Sequence, residues 1–325
     1  MVEVIRCIDI VHTNDERRLA PPVTLSPPPP DCIPHTLSPC HRLQMLSIKP
    51  VVILGATGTG KTKLSIDICK AIGGEVVNTD KMQIYAGLDI TTNKVNLNDQ
   101  HGIPHHLIGM VSTISDDLSV PWFRSIATTT STSIARRGRV PVLVGGSNSL
   151  IHGFLAEQYD PYIGDPFANA RYRPNLRFKS CLLWLHVDEL VLNEYLNRRI
   201  DDMVEDGLVE EIKEYYDTMS ICKIDGHNGL VRAIGVRELK DYFRGHRGLP
   251  TCIDEMKVNT QALERAQTRK ICRIAGVWGW PVHALDATEV MRARLNGSSQ
   301  IVEDIIWEHY VSLPALATIN DFLHT

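Results

Sequence analysis

Short apolar runs alternate with amphipathic stretches along the central part of the chain. Uninterrupted apolar runs of this kind are typical of parallel strands that are buried on both faces. The runs are Val51–Leu54, Val76–Val77, Val140–Val144 and Cys181–Val187. After the first run, Leu64, Ile68 and Ile72 repeat at a spacing of four, which indicates a helix. The alternation predicts an α/β fold with a parallel sheet and helices on both faces.

The pattern becomes helical from about residue 188. Amphipathic stretches run from Leu190 to Tyr216 and from Asp254 to Val277, and Asp188 is a candidate N-cap for the first of them. An earlier helix is predicted over 121–137, with Pro121 at its start. The chain is therefore expected to contain one α/β domain over 49–288, helical from about 188, and a helical tail over 289–325.

Residues 1–48 differ from the rest of the chain because prolines dominate them. Proline fixes φ and lacks a backbone donor, so this segment is predicted to be an extended, disordered leader with a possible targeting role. Its acidic residues and its lack of an apolar core are not typical of a secretory signal or of an organellar transit peptide.

Composition narrows the class of protein. The 325 residues are 43% apolar and 22% charged, which is ordinary for a soluble protein with a sizeable core. The net charge of −4 gives no global case for a nucleic-acid or membrane partner. No apolar run approaches the roughly 18 residues of a membrane span, so no membrane partner is expected. The eight cysteines lack zinc-site spacing, which indicates reduced thiols.

A complete phosphate-loop motif follows the first predicted strand and opens the first predicted helix. It consists of Gly55, Ala56, Thr57, Gly58, Thr59, Gly60, Lys61 and Thr62, which match G-x-x-x-x-G-K-[ST]. Its backbone amides and the helix N-terminus attract phosphate oxygens. Lys61 adds a full positive charge, and the Thr62 hydroxyl is a candidate ligand for Mg²⁺. The motif predicts phosphate binding.

The loop alone does not say whose phosphates it holds. Hydrolysis or transfer of a nucleotide phosphoryl group normally needs a second strand that ends in a metal-binding acid. Here the strand Val140–Val144 ends in Gly145-Gly146-Ser147-Asn148 instead. Asp188 follows another candidate strand but is better placed as an N-cap. The usual apparatus of a nucleotide hydrolase is therefore incomplete.

Asp80 directly follows the second predicted strand. Because ligands bind at the carboxyl ends of parallel strands, Asp80 should face the same crevice as the phosphate loop. A carboxylate there is either a general base or a cap for the next helix, and position alone does not separate the two. His105 and His106 are adjacent, which is a poor metal motif and favours structural or substrate-positioning roles.

With these motifs in place, the chain resembles the isopentenyltransferase family. That family comprises tRNA dimethylallyltransferases and the adenylate enzymes of plants and bacteria that make cytokinins. The resemblance runs from about Val51 to Thr288. It is carried by GATGTGKT (55–62), NTDKMQIYAGLDITTNK (78–94), GIPHHL (102–107), RGRVPVLVGGSNSLI (137–151), RIDDMVEDGLVEEI (199–212), RAIGVREL (232–239) and KVNTQALERAQTRKI (257–271).

The resemblance implies a prenyltransferase in which the loop grips the diphosphate of dimethylallyl diphosphate as a leaving group. Asp80 matches the family's general base, which takes a proton from the adenine N6 amine. Mg²⁺ would be shared by Thr62 and the diphosphate. Three cations match positions that the family places near the donor: Lys94, Arg139 and Arg232. Ser147 and Asn148 match a segment that lies near both donor and acceptor. Arg139, Lys61 and Thr62 are expected to assist Asp80 in catalysis.

The acceptor implied by the resemblance is ADP or ATP, and less strongly AMP. No cysteine follows Trp280 in this sequence, so the finger of eukaryotic tRNA enzymes is not expected, and the GGSNS segment resembles that of plant adenylate enzymes. Arg237 is typical of tRNA enzymes instead, and Ala266 stands where the family often has arginine. With these two departures, an enzyme of reduced activity is also an open alternative. The alternatives are a tRNA dimethylallyltransferase, a small-molecule kinase and a nucleotide-binding switch. A monomer in plastids or cytoplasm is expected.

Overall fold

The computed structural model describes residues 48–112, 118–218 and 229–325. The predicted leader lies outside the described residues, apart from Ile48. In the described ranges no helix is long and apolar enough to cross a membrane. The cysteines found there, Cys69, Cys181, Cys252 and Cys272, are free thiols.

A single parallel sheet of six strands forms the centre of the described chain, in the order β3-β2-β4-β1-β5-β6. The strands are β1 (Val51–Leu54), β2 (Gly74–Asn78), β3 (His105–His106), β4 (Val140–Val144), β5 (Cys181–His186) and β6 (Val282–Asp286). Val51 of β1 pairs with Val142 of β4 on one side and with Cys181 of β5 on the other. The predicted α/β fold with a parallel sheet is confirmed.

Helices cover both faces of the sheet. In the described ranges they are α1 (Lys61–Ile72), α2 (Val120–Arg136), α3 (Asn148–Leu155), α4 (Glu189–Glu205), α5 (Leu208–Thr218), α6 (Val236–Phe243), α7 (Leu249–Gly276), α8 (Thr288–Leu295), α9 (Gln300–Trp307) and α10 (Leu313–His324). A π-helical segment, Glu308–Ser312, joins the last two, and 3-10 helices lie at Met82–Ile84 and Gly229–Arg232.

Local chemistry explains where these helices begin and end. Asp188 accepts hydrogen bonds from the backbone N–H groups of Leu190 and Val191, which confirms it as the N-cap of α4. Helix α1 ends at Gly73, whose φ of 66° suits the left-handed cap. The single helix predicted over 190–216 is two helices, because the chain turns at Gly207 with φ 100°.

Alternation along the strands divides the core between the two faces of the sheet. Val51 and Ile53 face one apolar layer, whereas Val52 and Leu54 face the other. The first layer includes residues of the carboxyl-terminal helices, such as Trp307, so the predicted tail packs against the sheet. A third apolar cluster joins α5, α6 and the start of α7 to the segment after β2. This helical part stands beside the carboxyl-terminal edge of the sheet.

Candidate active site

The phosphate loop lies at the carboxyl end of β1 and leads into α1. Gly58 and Gly60 have φ of 82° and 94°, a region that glycine enters without strain. Helix α1 has no side-chain cap at Gly60, so its first amides point toward the site where an anion would bind. The Lys61 Nζ donates to the carbonyl of Ala56 at 2.6 Å, which folds the ammonium group over the loop.

The structure shows Asp80 as a cap for the next helical segment, and it leaves the second carboxylate oxygen in a position compatible with a general base. Oδ1 accepts a hydrogen bond from the backbone N–H of Met82 at 3.0 Å and so caps the 3-10 helix Met82–Ile84. Oδ2 accepts no hydrogen bond from the described residues. The Asn78 amide fixes the backbone on both sides of Asp80: Nδ2 donates to its carbonyl and Oδ1 accepts from its N–H. One oxygen therefore remains available to a substrate.

The glycine pair after β4 allows an unusually close approach of two other segments. A Cβ placed on Gly145 would lie 2.5 Å from the backbone nitrogen of Asp80. A Cβ placed on Gly146 would lie 2.4 Å from Nε2 of Gln267 in α7. Since real Cβ atoms do not approach that closely, no other residue fits at Gly145 without a shift of backbone. The turn therefore packs directly against the catalytic candidate.

Ser147 and Asn148 support this turn rather than line the cleft. The Ser147 hydroxyl accepts from the backbone N–H of Lys81 at 2.9 Å. The Asn148 side-chain amide donates to the carbonyl of Gln267 at 3.1 Å. Both residues thus lie near the site, as the sequence predicts. Their observed contacts hold the segments that carry Asp80 and the phosphate loop.

A cleft of about 890 Å³, including its solvent-open mouth, lies between the loop, the end of β2 and α4. Its lining residues are Thr57, Gly58, Gly60, Lys61, Thr62, Val76, Asn78, Asp80, Gln83, Thr92, Asn93, Val95, His105, Ile108, Val144, Gly145, Tyr195 and Arg199. Polar groups surround the loop, whereas Val76, Val95, Ile108 and Val144 add apolar wall. The cleft therefore suits a ligand with an anionic end and an apolar end.

Two cations and one carboxylate meet in this cleft. Burial lowers the pKa of Lys61 to about 8; the Asp80 carboxylate opposes this shift, and Arg199 adds to it. Burial also lowers the pKa of the Arg199 guanidinium, with Tyr195 and Asp80 opposing the shift. Burial makes the charged forms of these two side chains unfavourable, and a bound anion would stabilise them. The electrostatics therefore favour a phosphorylated ligand at the loop.

Arg199, Tyr195 and Gln267 are site residues that sequence reasoning missed. Arg199 heads one of the segments that carry the family resemblance, but its type and spacing did not single it out. The sequence of α4 does contain a signal for Tyr195 and Arg199. These two residues are four apart, so they share one face of the helix, beside the buried stripe of Leu192 and Leu196. Gln267 has no comparable local signal, since its partners lie about 120 and 210 residues away.

The structure does not bring the other predicted cations into the cleft. Arg139 is exposed and precedes β4, so it lies at the amino-terminal edge of the sheet, near Gly73. A five-residue strand separates it from the loop edge by about 16 Å. Its position does not fit the catalytic role that the resemblance implied. Arg232 is exposed in the 3-10 helix Gly229–Arg232, outside the cleft lining.

Lys94 belongs to a loop whose neighbouring residues line the cleft. Its Nζ donates to the carbonyl of Gly87 and pairs with Asp89 Oδ1 at 2.9 Å. Glu211 of α5 holds the same loop, because its carboxylate accepts from the backbone N–H groups of Ile90 and Thr91. Lys94 therefore stabilises the wall of the cleft in this structure.

The donor set of the cleft fits magnesium better than zinc. No group of three or more His, Cys, Asp or Glu side chains that could hold a metal ion occurs in the part of the chain that the structure describes. Thr62 lines the cleft beside the loop amides. Mg²⁺ is often held by one or two protein oxygens together with phosphate oxygens. The Thr62 hydroxyl and a bound diphosphate would supply such a set.

A second hollow lies behind the loop, between the end of β5 and α7. Glu264 lines it and is 3% exposed. One of its carboxylate oxygens accepts from the Thr268 hydroxyl at 2.8 Å, and the other is buried without a partner among the described residues. Burial raises the pKa of this carboxyl, with Glu189 adding to the shift. Burial therefore favours the neutral form of Glu264 more than water favours it for an ordinary glutamate.

A parallel sheet with a phosphate loop after β1, and a carboxylate facing that loop from β2, defines a P-loop-like fold whose site suits a phosphorylated substrate. Residues 83–171 and 161–271 match the model of the IPP transferase family. The chain belongs to the IPP transferase family, and it is a prenyltransferase. The resemblance stated from the sequence is thus confirmed.

Named relatives from plants are similar over most of their length. Adenylate isopentenyltransferase of Humulus lupulus is 38% identical, over 83% of this chain and 89% of the relative. The chloroplastic adenylate isopentenyltransferase 1 of Arabidopsis thaliana is 36% identical, over 85% and 81%. Adenylate isopentenyltransferase 7 of the same plant, which is mitochondrial, is 32% identical, over 84% and 80%.

Solved structures with the same fold act on tRNA according to their descriptions. A eukaryotic dimethylallyltransferase acting on tRNA aligns with a TM-score of 0.71 at 26% identity, over 85% of this chain and 80% of that chain. A tRNA isopentenylpyrophosphate transferase from Bacillus halodurans aligns with a TM-score of 0.64 at 28% identity, over 85% and 99%. These similarities confirm the fold and the family.

Proposed function

We propose that this protein transfers a dimethylallyl group from dimethylallyl diphosphate to N6 of the adenine of ADP or ATP, or less readily AMP. That reaction is the first step of cytokinin synthesis. The observation that carries the proposal is the free Oδ2 of Asp80 in the same cleft as the phosphate loop, Lys61 and Arg199. A base and an anion site in one cleft are what the transfer requires.

In the proposed reaction the diphosphate lies on the loop amides, with Lys61 and Arg199 opposite its oxygens. The allylic carbon–oxygen bond breaks, the bond from N6 to that carbon forms, and the N6 proton passes to Asp80 Oδ2. Negative charge grows on the departing diphosphate, where the two cations stabilise it. When bound, Mg²⁺ would neutralise part of the same charge, held by the Thr62 hydroxyl and the diphosphate.

The choice of a nucleotide acceptor is supported by the named relatives. The proteins at 36–38% identity from Arabidopsis and hop are named adenylate isopentenyltransferases. The proteins described as acting on tRNA are 26–28% identical. The tRNA anticodon-loop adenosine is the second candidate acceptor, since the fold of those proteins covers 85% of this chain.

We further propose that the protein works as a monomer in plastids, with cytoplasm as the alternative. Several of the relatives are named chloroplastic, which supports the location. Imaging of the full chain fused to a fluorescent protein at its carboxyl end tests it, and signal confined to cytoplasm contradicts it. Light scattering during gel filtration tests the monomer, and a mass twice 36.4 kDa contradicts it.

A single assay separates the candidate reactions. The purified protein is incubated with dimethylallyl diphosphate, Mg²⁺ and one acceptor at a time: AMP, ADP, ATP or unmodified tRNA. We expect N6-prenylated nucleotide and an equal amount of diphosphate with ADP and ATP. Prenylation of tRNA alone would establish the second candidate. Phosphorylated product or orthophosphate without prenyl transfer would indicate a kinase and overturn the proposal.

Asp80→Asn tests the base. Asparagine retains an oxygen that accepts from Met82, so the cap and the local fold should persist. We expect kcat to fall by at least about 100-fold, the usual scale for the loss of a general base, while nucleotide binding is retained. Asp99→Asn is the control, because Asp99 is exposed and contacts Asn96 outside the cleft. Undiminished turnover of Asp80→Asn would remove Asp80 from the mechanism.

A further inference from the structure

The side-chain amide of Gln267 joins the two halves of the candidate site. Its Oε1 accepts a hydrogen bond from the backbone N–H of Thr57 in the phosphate loop at 2.8 Å. Its Nε2 donates to the carbonyl of Gly146, after β4, at 3.0 Å. Its own carbonyl accepts from the Asn148 side chain at 3.1 Å. One residue of α7 therefore contacts both loops that follow the central strands.

The chemistry of the two contacts requires a primary amide. The Thr57 N–H needs an acceptor, and the Gly146 carbonyl needs a donor. Glutamine presents one of each on a planar group, whereas glutamate lacks the donor, and methionine lacks the donor and has only a weak thioether acceptor. β1 and β4 pair directly, so the loops they lead into are neighbours whose spacing a single amide spans.

The segment held by Gln267 is also the one that holds Asp80. A Cβ placed on Gly146 would lie 3.6 Å from Asp80 Oδ2, and one on Gly145 would lie 2.5 Å from the Asp80 backbone nitrogen. The next residue, Ser147, accepts from the backbone N–H of Lys81. A shift of the turn after β4 would therefore displace the carboxylate relative to the phosphate loop.

We propose that Gln267 is a positioning residue for prenyl transfer: its amide sets the separation between the phosphate loop, which holds the leaving group, and the Asp80 carboxylate. The inference rests on the proposed function for its chemical consequence. The diphosphate leaves the allylic carbon while the base takes the proton of the nitrogen that attacks that carbon, so the spacing between diphosphate and base enters the barrier directly. A misplacement of about 1 Å can cost about 100-fold in rate.

The primary test compares two glutamines of the same helix. Gln267→Met keeps the side-chain length, removes the bond to Gly146 and leaves only a weak thioether acceptor for Thr57. Gln261→Met is the matched control, because Gln261 donates one side-chain hydrogen bond to Asn197, at 2.9 Å and outside the cleft lining. We expect Gln267→Met to lower kcat by about 10- to 100-fold with a smaller change in the donor KM. Gln261→Met should keep kcat within about twofold. Its melting temperature should fall by about as much as that of Gln267→Met.

Gly146→Ala provides a second, independent variant. The added Cβ would meet the far end of a flexible side chain, Gln267 Nε2, so the fold should tolerate it while the amide is pushed from its place. Gly146→Ala should therefore reproduce the kcat loss of Gln267→Met. Because both changes break the same bridge, the double variant should lose little more than either single variant. Multiplicative losses would show that the two residues act separately and would overturn the proposal.

A measurement without turnover separates this inference from the proposed function. Hydrogen exchange of the Thr57 amide reports its bond to Gln267 directly. We expect exchange at Thr57 to accelerate at least about tenfold in Gln267→Met and to stay unchanged in Gln261→Met. If no acceptor is prenylated but the exchange result holds, the proposed function fails and the bridge stands. Unaltered kcat in Gln267→Met would refute the positioning role, and unaltered Thr57 exchange would refute the bridge itself.

Discussion

Raising the pH from 7 to 9 should weaken donor binding through one group, Lys61. Burial lowers the pKa of this lysine to about 8, and Arg199 adds to the shift while Asp80 opposes it. An amine with that pKa is about nine-tenths charged at pH 7 and about one-tenth charged at pH 9. If only the ammonium form binds the diphosphate, the apparent Kd should rise about tenfold over this range.

The sign of the effect follows from the direction of the pKa shift. A lowered lysine pKa means that the empty site disfavours the charged form, and a bound anion restores it. Affinity is therefore full below pH 8 and falls as the pH rises through 8. The chain without ligand should also release a proton near pH 8, whereas the complex should hold it to higher pH.

The assay measures the Kd of a non-reactive thiodiphosphate analogue of the donor by calorimetry at pH 7, 8 and 9, at constant Mg²⁺ and ionic strength. Lys61→Arg is the control, because a guanidinium stays protonated throughout this range. Its Kd is expected to be weaker but nearly independent of pH. A flat curve for the wild-type protein, or the same slope in Lys61→Arg, would refute the reasoning about Lys61.

Two further predictions concern stability. Trp307→Ala should lower the free energy of unfolding by about 3–5 kcal/mol, because the ring is 4% exposed, packs against Gly60 and donates to Asp67 at 2.8 Å; an unchanged urea midpoint would contradict this. Burial raises the pKa of Glu264, so its contribution to stability is lost as the pH rises through that raised value. The melting temperature of Glu264→Gln should match the wild type near pH 4 and exceed it at pH 8, and a constant difference would count against a buried carboxyl.

The strands that sequence reasoning found are those with two buried faces. β1, β2, β4 and β5 contain apolar runs because helices cover both of their sides. β3 and β6 lie at the edges of the sheet and were not predicted. β3 has only two residues, and most of β6 is exposed, so neither leaves an apolar run in the sequence. Edge strands form through hydrogen bonds to a neighbouring strand, and these bonds leave no apolar pattern in the local sequence.

The sequence predicted those residues of the candidate site that come directly after a strand. The phosphate loop and Asp80 each come immediately after a strand, so the sheet brings them to one edge. Arg139 shows the opposite case: it precedes β4 by one residue, and that places it at the far edge. Arg199 and Gln267 reach the site from helices through tertiary packing, and their positions depend on how α4 and α7 dock.

The turn after β4 bears on the choice between prenyl and phosphoryl transfer. A nucleotide-cleaving enzyme of this architecture normally places a metal-binding acid on a neighbouring strand end. Here Gly145 and Gly146 occupy that place, and a Cβ on Gly145 would collide with the backbone of Asp80. An acidic side chain is thereby excluded at Gly145 by the same close packing that holds Asp80 beside the loop. The close packing at this turn therefore fits the proposed prenyl transfer, in which a diphosphate departs intact, better than it fits phosphoryl transfer.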